Sequence, residues 1–282
     1  MVENNTITGE IKENFIVQKT DPLRLIKNSF TLGEYKLLDV YLSRINSHDE
    51  TLCTVRFTKE EYEQLMGLKE CDWETLRRNA KSFMSNKVIS IPVEEGFDNI
   101  ILFSRAKGFT DKNGNKVIEI TCSEEAKKYI FNSEDKLHYI RYELRNVIGM
   151  KSTYTYLLYM FLKNLPSGAK TRIGIDELRT EVFKCESDYY KDFRFFNRDI
   201  LSKAVDEINK VTDVRCECEF KRKDRKVNTV IFTVTNKRGR KKGTPVLSSS
   251  SVSEKEMLEG EEYLKQDNTS PEVERILKLW GV

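Results

Sequence analysis

The residues best suited to chemistry lie in the segment 192–226, DFRFFNRDILSKAVDEINKVTDVRCECEFKRKDRK. Apolar side chains recur there at helical spacing, which predicts an amphipathic helix. Its first turns carry Arg194, Asn197 and Arg198. Arginine can donate two hydrogen bonds to guanine, and asparagine matches the donor and acceptor of adenine in the major groove. We therefore predict that these three side chains read bases. The alternative is an exposed helix face with ordinary polar residues.

A basic cluster follows the helix and favours DNA binding. It occupies the tip of a predicted two-stranded hairpin and comprises Lys221, Arg222, Lys223, Arg225 and Lys226. Such clustering is unfavourable unless a polyanion neutralises it, and phosphate contacts of this kind supply much of a protein's affinity for DNA. We predict that the tip contacts the DNA backbone, together with Lys191 and Ser202 near the helix start.

Charge distribution agrees with a polyanionic partner. The 282-residue chain has a net charge of only +3, but residues 215–242 contain eleven Lys or Arg against three acidic residues. The sequence has no apolar stretch of membrane-spanning length, and its start lacks a signal-peptide pattern, so we expect a cytoplasmic protein with no membrane contact. The six cysteines are then expected to be reduced thiols.

Catalysis finds little support in the residue types. The chain has two histidines, no glycine-rich phosphate loop and no metal-ligand spacing, and Cys216 and Cys218 lack two further ligands. A tyrosine nucleophile among Tyr154, Tyr156 and Tyr159 would need a histidine cluster or a spread set of arginines and histidines, and the chain has only two histidines. We expect no enzyme activity, no metal and no cofactor.

Two copies of one structural plan position these residues. The first contains a helix over 30–45, a strand at 54–58, a helix with a capping box formed by Thr58 and Glu61, a helix opened by Asp72, and a hairpin of strands 99–109 and 115–123. Asn113 and Gly114 are expected to supply positive backbone angles at the hairpin turn.

The second copy repeats this order. It has a helix over 152–165, a strand at 171–175, a helix capped by Asp176, the amphipathic helix and the basic hairpin. Its buried helix face is predicted to comprise Phe193, Phe196, Ile200, Ala204 and Ile208, with Leu201 and Val205 at the edge. This order is that of a winged helix-turn-helix. We predict an α+β fold of two pseudo-symmetric winged helices.

The third helix of the first unit is less basic. Its outward face is predicted to hold Thr75, Arg78, Asn79 and Ser82, and its hairpin adds Arg105 and Lys107. This unit either binds DNA as well or serves mainly as a protein contact surface. We predict a flexible arm at 1–19, domain 1 at 20–137, domain 2 at 138–235, and a disordered tail at 236–282 that is basic, then acidic, with a short terminal helix.

Several stretches resemble the replication initiator (Rep) family of iteron-bearing, theta-replicating plasmids, notably SFTLGEYKLLDVYLSRI, LRRNAKSFMSNKVISIP, KSTYTYLLYMFLK and ILSKAVDEINKVTDV. The resemblance covers roughly residues 20–235. It implies two winged helices that bind direct repeats in double-stranded origin DNA and help to open it, with a dimer that represses its own gene. It also implies contact with host replication proteins such as a helicase or initiator. Asp199 stands where a basic residue is more usual.

Two other functions remain open on the sequence. One is a winged-helix transcriptional repressor without a role in replication. The other is a nicking enzyme for rolling-circle replication, which the small number of histidines disfavours.

Overall fold

The computed structural model describes residues 6–237 except 9–11, 13, 14, 25, 27–29, 83–87, 94, 95, 133–136, 169 and 224, and only the backbone of residues 92 and 93. The predicted tail beyond residue 237 and its terminal helix lie outside the described residues. Among those described, no helix is long and apolar enough to cross a membrane.

The first unit is a helical layer on a four-stranded sheet. Its elements are β1 (Thr6–Ile7), β2 (Ile16–Thr20), α1 (Asp21–Arg24), α2 (Leu32–Leu42), β3 (Thr54–Thr58), α3 (Lys59–Met66), α4 (Trp73–Ser82), β4 (Val88–Val93), β5 (Gly96–Ile101), β6 (Phe103–Thr110), β7 (Lys116–Cys122) and α5 (Glu124–Ile130). The sheet order is β1-β3-β7-β6. The predicted capping box of Thr58 and Glu61 forms, and Thr31 and Glu34 form a second one at α2.

The single strand predicted over 99–109 is wrong, because the chain changes sheets within it. β5 pairs with β4 in a separate hairpin, whereas β6 pairs with β7. Leu102 and Phe103 are both buried, at 2% and 0% exposure, so the in-out alternation of one strand is interrupted there.

The turn between β6 and β7 also differs from the prediction. Gly114 has a positive φ of 86°, but Asn113 does not. The Asp111 carboxylate accepts the backbone N–H groups of Asn113 and Asn115, both at 2.8 Å, and this closes a longer loop than the two-residue turn expected.

The second unit packs its helices on a three-stranded sheet of order β10-β11-β9. Its elements are β8 (Tyr139–Glu143), α6 (Arg145–Ile148), α7 (Thr153–Lys163), β9 (Lys170–Gly174), α8 (Ile175–Glu177), a π-helical segment (Leu178–Val182), a 3-10 turn (Asp188–Lys191), α9 (Phe193–Phe196), a second π-helical segment (Asn197–Leu201), α10 (Ser202–Val211), β10 (Val214–Lys223) and β11 (Lys226–Asn236). Asp176 is not the predicted cap. The N-cap is Gly174, two residues earlier, and the helix begins at Ile175, so Asp176 lies in the first turn.

A two-stranded sheet and a buried polar cluster join the two units. β2 pairs with β8, so residues 16–19 belong to the folded body and not to a flexible arm. Lys19, Asp39 and Tyr156 are at most 1% exposed. The Lys19 ammonium lies 2.8 Å from Asp39 and also donates to the Tyr156 hydroxyl, which in turn donates to Asp39 at 2.9 Å. Burial raises the pKa of Tyr156 well above its ordinary value, so the hydroxyl keeps its proton.

Candidate DNA-binding interface

Residues 193–211 form one helix interrupted by a π-helical segment. The Asp192 carboxylate caps it by accepting the N–H of Arg194 at 2.9 Å. Four of the five residues predicted for the inner face, Phe196, Ile200, Ala204 and Ile208, are at most 2% exposed. Two residues exchange places: Leu201, predicted at the edge, is 1% exposed, whereas Phe193 is only partly buried and packs at the edge with Val205. The N–H of Ser202 donates to the carbonyl of Asn197, five residues back. Such π segments are frequent at functional sites.

The two arginines of this helix are exposed, and each has an acidic neighbour. The Arg194 side chain is 81% exposed and lies 2.6 Å from Asp192. The Arg198 side chain is 61% exposed, and its Nε and Nη2 donate to the two oxygens of Asp199, both at 2.8 Å. These hydrogen bonds hold the pKa of each carboxyl below its usual value. Exposed ion pairs contribute little to stability, so these arginines can exchange partners at small cost.

The other side chains predicted to contact DNA from this region differ in their exposure and in their partners. Lys191 is paired with Asp188 at 2.8 Å. Ser202 is exposed, whereas Asn197 is only partly exposed.

Two aromatic residues beside these arginines escaped the sequence prediction. Tyr189 is 51% exposed, and its ring stacks on that of Phe195 with centroids 4.6 Å apart and planes 11° from parallel. The sequence does show an aromatic-rich run, YYKDFRFF. Helical spacing predicts which of these aromatic residues are buried, but it does not predict that the exposed ones stack beside the arginines.

The wing, which is the hairpin of β10 and β11, carries the five predicted backbone contacts at its tip. All five are exposed, and none forms an ion pair with a residue that the structure describes. The pairing register shifts at Lys221/Arg222, and Arg225 has a positive φ of 65° in the turn. Phe220 on the wing meets Phe193 at the helix start, with ring centroids 5.1 Å apart. This contact places the base of the tip beside the first turn of helix 193–211.

Two of the residues predicted to face outward from α4 are instead directed at α2. The Ser82 hydroxyl donates to Glu34, and the Asn79 amide nitrogen lies 2.7 Å from where a Cβ on Gly33 would be. Helical spacing placed Asn79 and Ser82 on the polar face of α4. In the structure, the part of this face that they occupy packs against the N-terminal turn of α2, so the two side chains do not point outward.

The other two residues predicted to face outward from α4 are Thr75 and Arg78, and only Arg78 has an exposed side chain. The Thr75 hydroxyl donates to Asp72 at 2.6 Å and accepts from Arg78 at 2.7 Å, so it belongs to the helix cap.

The remaining predicted contacts of the first unit, Arg105 and Lys107, lie on the face of β6 that points away from α4. A side chain at Gly108 would meet Arg77 and Trp73, which shows that this face of β6 lies under α4. Because side chains alternate along a strand, Arg105 and Lys107 point to the opposite, exposed face. The structure therefore does not bring Arg105 and Lys107 together with Arg78.

These features define the class of proteins built from two winged helix-turn-helix units. A family model described as "Initiator Replication protein, WH1" matches residues 16–163, and one described as "Initiator Rep protein, WH2" matches residues 174–234. The chain belongs to this replication initiator family, which confirms both the predicted family and the predicted fold.

Two solved structures are similar to this chain. The structure titled "Crystal structure of Pi initiator protein in complex with iteron DNA" has a TM-score of 0.64 at 18% identity and covers 80% of this chain and 100% of that chain. Domains 2 and 3 of RctB give a TM-score of 0.46 at 10% identity, covering 79% of this chain and 86% of that chain. No curated protein matches the chain significantly.

Proposed function

We propose that this protein initiates plasmid replication by binding direct repeats, or iterons, in double-stranded origin DNA. The proposal is carried by one observation: a helix with exposed arginines lies beside a wing whose cations form no ion pair with a described residue, in a chain of the replication initiator family. The Pi initiator, which has the same fold, forms a complex with iteron DNA. No enzymatic step is part of the proposal.

The two groups of cations have different tasks in this mechanism. The wing cations form no ion pair with the described residues, so contact with DNA displaces none of those residues; they hold any DNA backbone and release its counterions. Arg194 and Arg198 must leave or share their aspartate partners before they can contact a base. That exchange is favourable only where the groove offers matched acceptors, and it therefore supports sequence discrimination.

Dimerisation and repression of its own gene are the second part of the proposal. The hairpin of β4 and β5 buries Ile89, Ile91 and Ile100 but exposes Val88, Phe97 and Ile101, at 45%, 67% and 39%. The first and last of these are cross-strand partners, so they form one apolar face. A second copy could cover it. Phe97→Glu should then shift the protein from dimer to monomer in light scattering, and an unchanged mass would assign the dimer to another surface.

One experiment separates the proposed function from its alternatives. Sequences bound from a random DNA pool should contain direct repeats, and a plasmid that carries those repeats at its origin should replicate only when this protein is supplied. An inverted pair alone, without origin activity, would indicate a transcriptional repressor. Strand cleavage with a divalent metal would indicate a nicking enzyme. The recruited host helicase or initiator would be sought by pull-down on the assembled origin.

A further inference from the structure

The stacked pair Tyr189–Phe195 and the arginine beside it form one cluster. The Arg198 guanidinium carbon lies 5.1 Å from the Phe195 ring centroid, and Arg198 Nη2 donates to the Tyr189 hydroxyl at 3.0 Å. Tyr190 packs edge-on against Tyr189, with centroids 5.0 Å apart. Tyr189 is thus held by three neighbours although half of its surface is exposed. Ring contacts of this kind fix both the aromatic plane and the guanidinium.

Hydrogen bonding directs what Arg198 can still contact. Asp199 accepts from Nε and Nη2, and Tyr189 accepts from Nη2. A guanidinium has five N–H groups, so those of Nη1 remain for an external acceptor, since no described residue accepts them. Arg198 and Tyr189 are both exposed and are joined by a hydrogen bond, so the guanidinium and the ring lie close together in one exposed region.

This region is the end of helix 193–211 that the proposed function places in the major groove. Phe195 and Arg198 are three residues apart and so lie on one helix face, and the turn that carries Tyr189 directly precedes the helix. Bases show hydrogen-bonding groups in that groove, together with one apolar group, the C5-methyl of thymine. Among these base groups, only that methyl offers apolar surface. An exposed aromatic ring in the groove is therefore removed from water on binding when it packs against the methyl.

We propose that the Tyr189–Phe195 stack is a specificity-determining element that reads a thymine methyl group next to the base pair contacted by Arg198. Tyr189 supplies the contact surface, and Phe195 positions it. This inference rests on the proposed function. It adds two aromatic residues to the polar side chains that were predicted to read bases.

The test uses the full-length protein and a duplex selected by that protein from a random pool. Each thymine of the duplex is replaced in turn by deoxyuridine, which removes only the methyl group. Loss of one buried methyl should weaken wild-type binding about fourfold at one position. Tyr189→Ala should bind thymine and uracil equally at that position, whereas Tyr189→Phe, which keeps the ring, should retain the discrimination. Ile16→Ala removes an apolar side chain that is 53% exposed on β2 of the other unit, away from helix 193–211 and from the β4–β5 hairpin, and serves as the control.

Specific binding by the wild type with no thymine sensitive to demethylation would overturn this inference and leave the proposed function standing. So would a Tyr189→Ala variant that still discriminates as the wild type does. Selection of no sequence at all would overturn both.

Discussion

Removing part of the wing's charge tests whether the wing contacts the DNA backbone while helix 193–211 reads the bases. Lys221, Arg222 and Lys223 are exposed, and none forms an ion pair with any residue described in the structure. Replacing all three by alanine should therefore leave stability almost unchanged. If each neutralises one phosphate, the slope of log affinity against log salt should fall by about 2.7. When salt rises from about 50 to 200 mM, affinity falls for both proteins. The factor by which it falls should be roughly 40 times smaller for the variant than for the wild type.

The measurement is a salt series of dissociation constants, by fluorescence anisotropy, on the selected duplex and on a scrambled one. Both duplexes should weaken by a similar factor, because phosphate contacts carry no base information. A variant with Lys69, Lys170 and Lys210 replaced by alanine loses the same charge from exposed positions and is the control. Of these, Lys170 pairs with Thr233, far from the tip along the same sheet.

Two outcomes would refute the reasoning. A salt slope that stays at the wild-type value would show that the tip is ordinary solvated surface. Weakening confined to the selected duplex would show that the tip reads bases and does not merely hold the backbone.

Three further predictions concern single residues. Arg198→Ala should weaken binding to the selected site about ten- to a hundredfold and relax preference at one or two base pairs; equal weakening of scrambled DNA would make it a phosphate contact. Arg78→Ala should weaken one of two footprint patches about 10–10.5 bp apart, whereas a single patch that the substitution leaves unchanged would assign the first unit to protein contacts. Asp39→Asn should lower the free energy of unfolding by ~3–5 kcal/mol in urea titrations, because it leaves Lys19 buried without its counter-charge, and Tyr156→Phe by about 1 kcal/mol. A loss below ~1 kcal/mol for Asp39→Asn would contradict the buried ion pair.

Local patterns in the sequence were sufficient to predict much of the fold and part of the candidate site. The capping box of Thr58 and Glu61, the buried face of helix 193–211 and the basic tip depend on residues within a few positions of one another. Helical spacing and turn chemistry act over that range, so a single sequence reveals them. The family followed from the same local stretches and was confirmed by the family models.

Tertiary structure decided everything that depends on partners distant in the chain. β2 becomes part of the body only because β8, more than a hundred residues later, supplies its backbone partners. Ser82 turns inward because α2 brings Glu34 to it, and Lys19 is buried because the second unit brings the Tyr156 hydroxyl to it. Burial and hydrogen bonding of a side chain depend on which surfaces meet, and spacing along one element carries no information about the element packed against it.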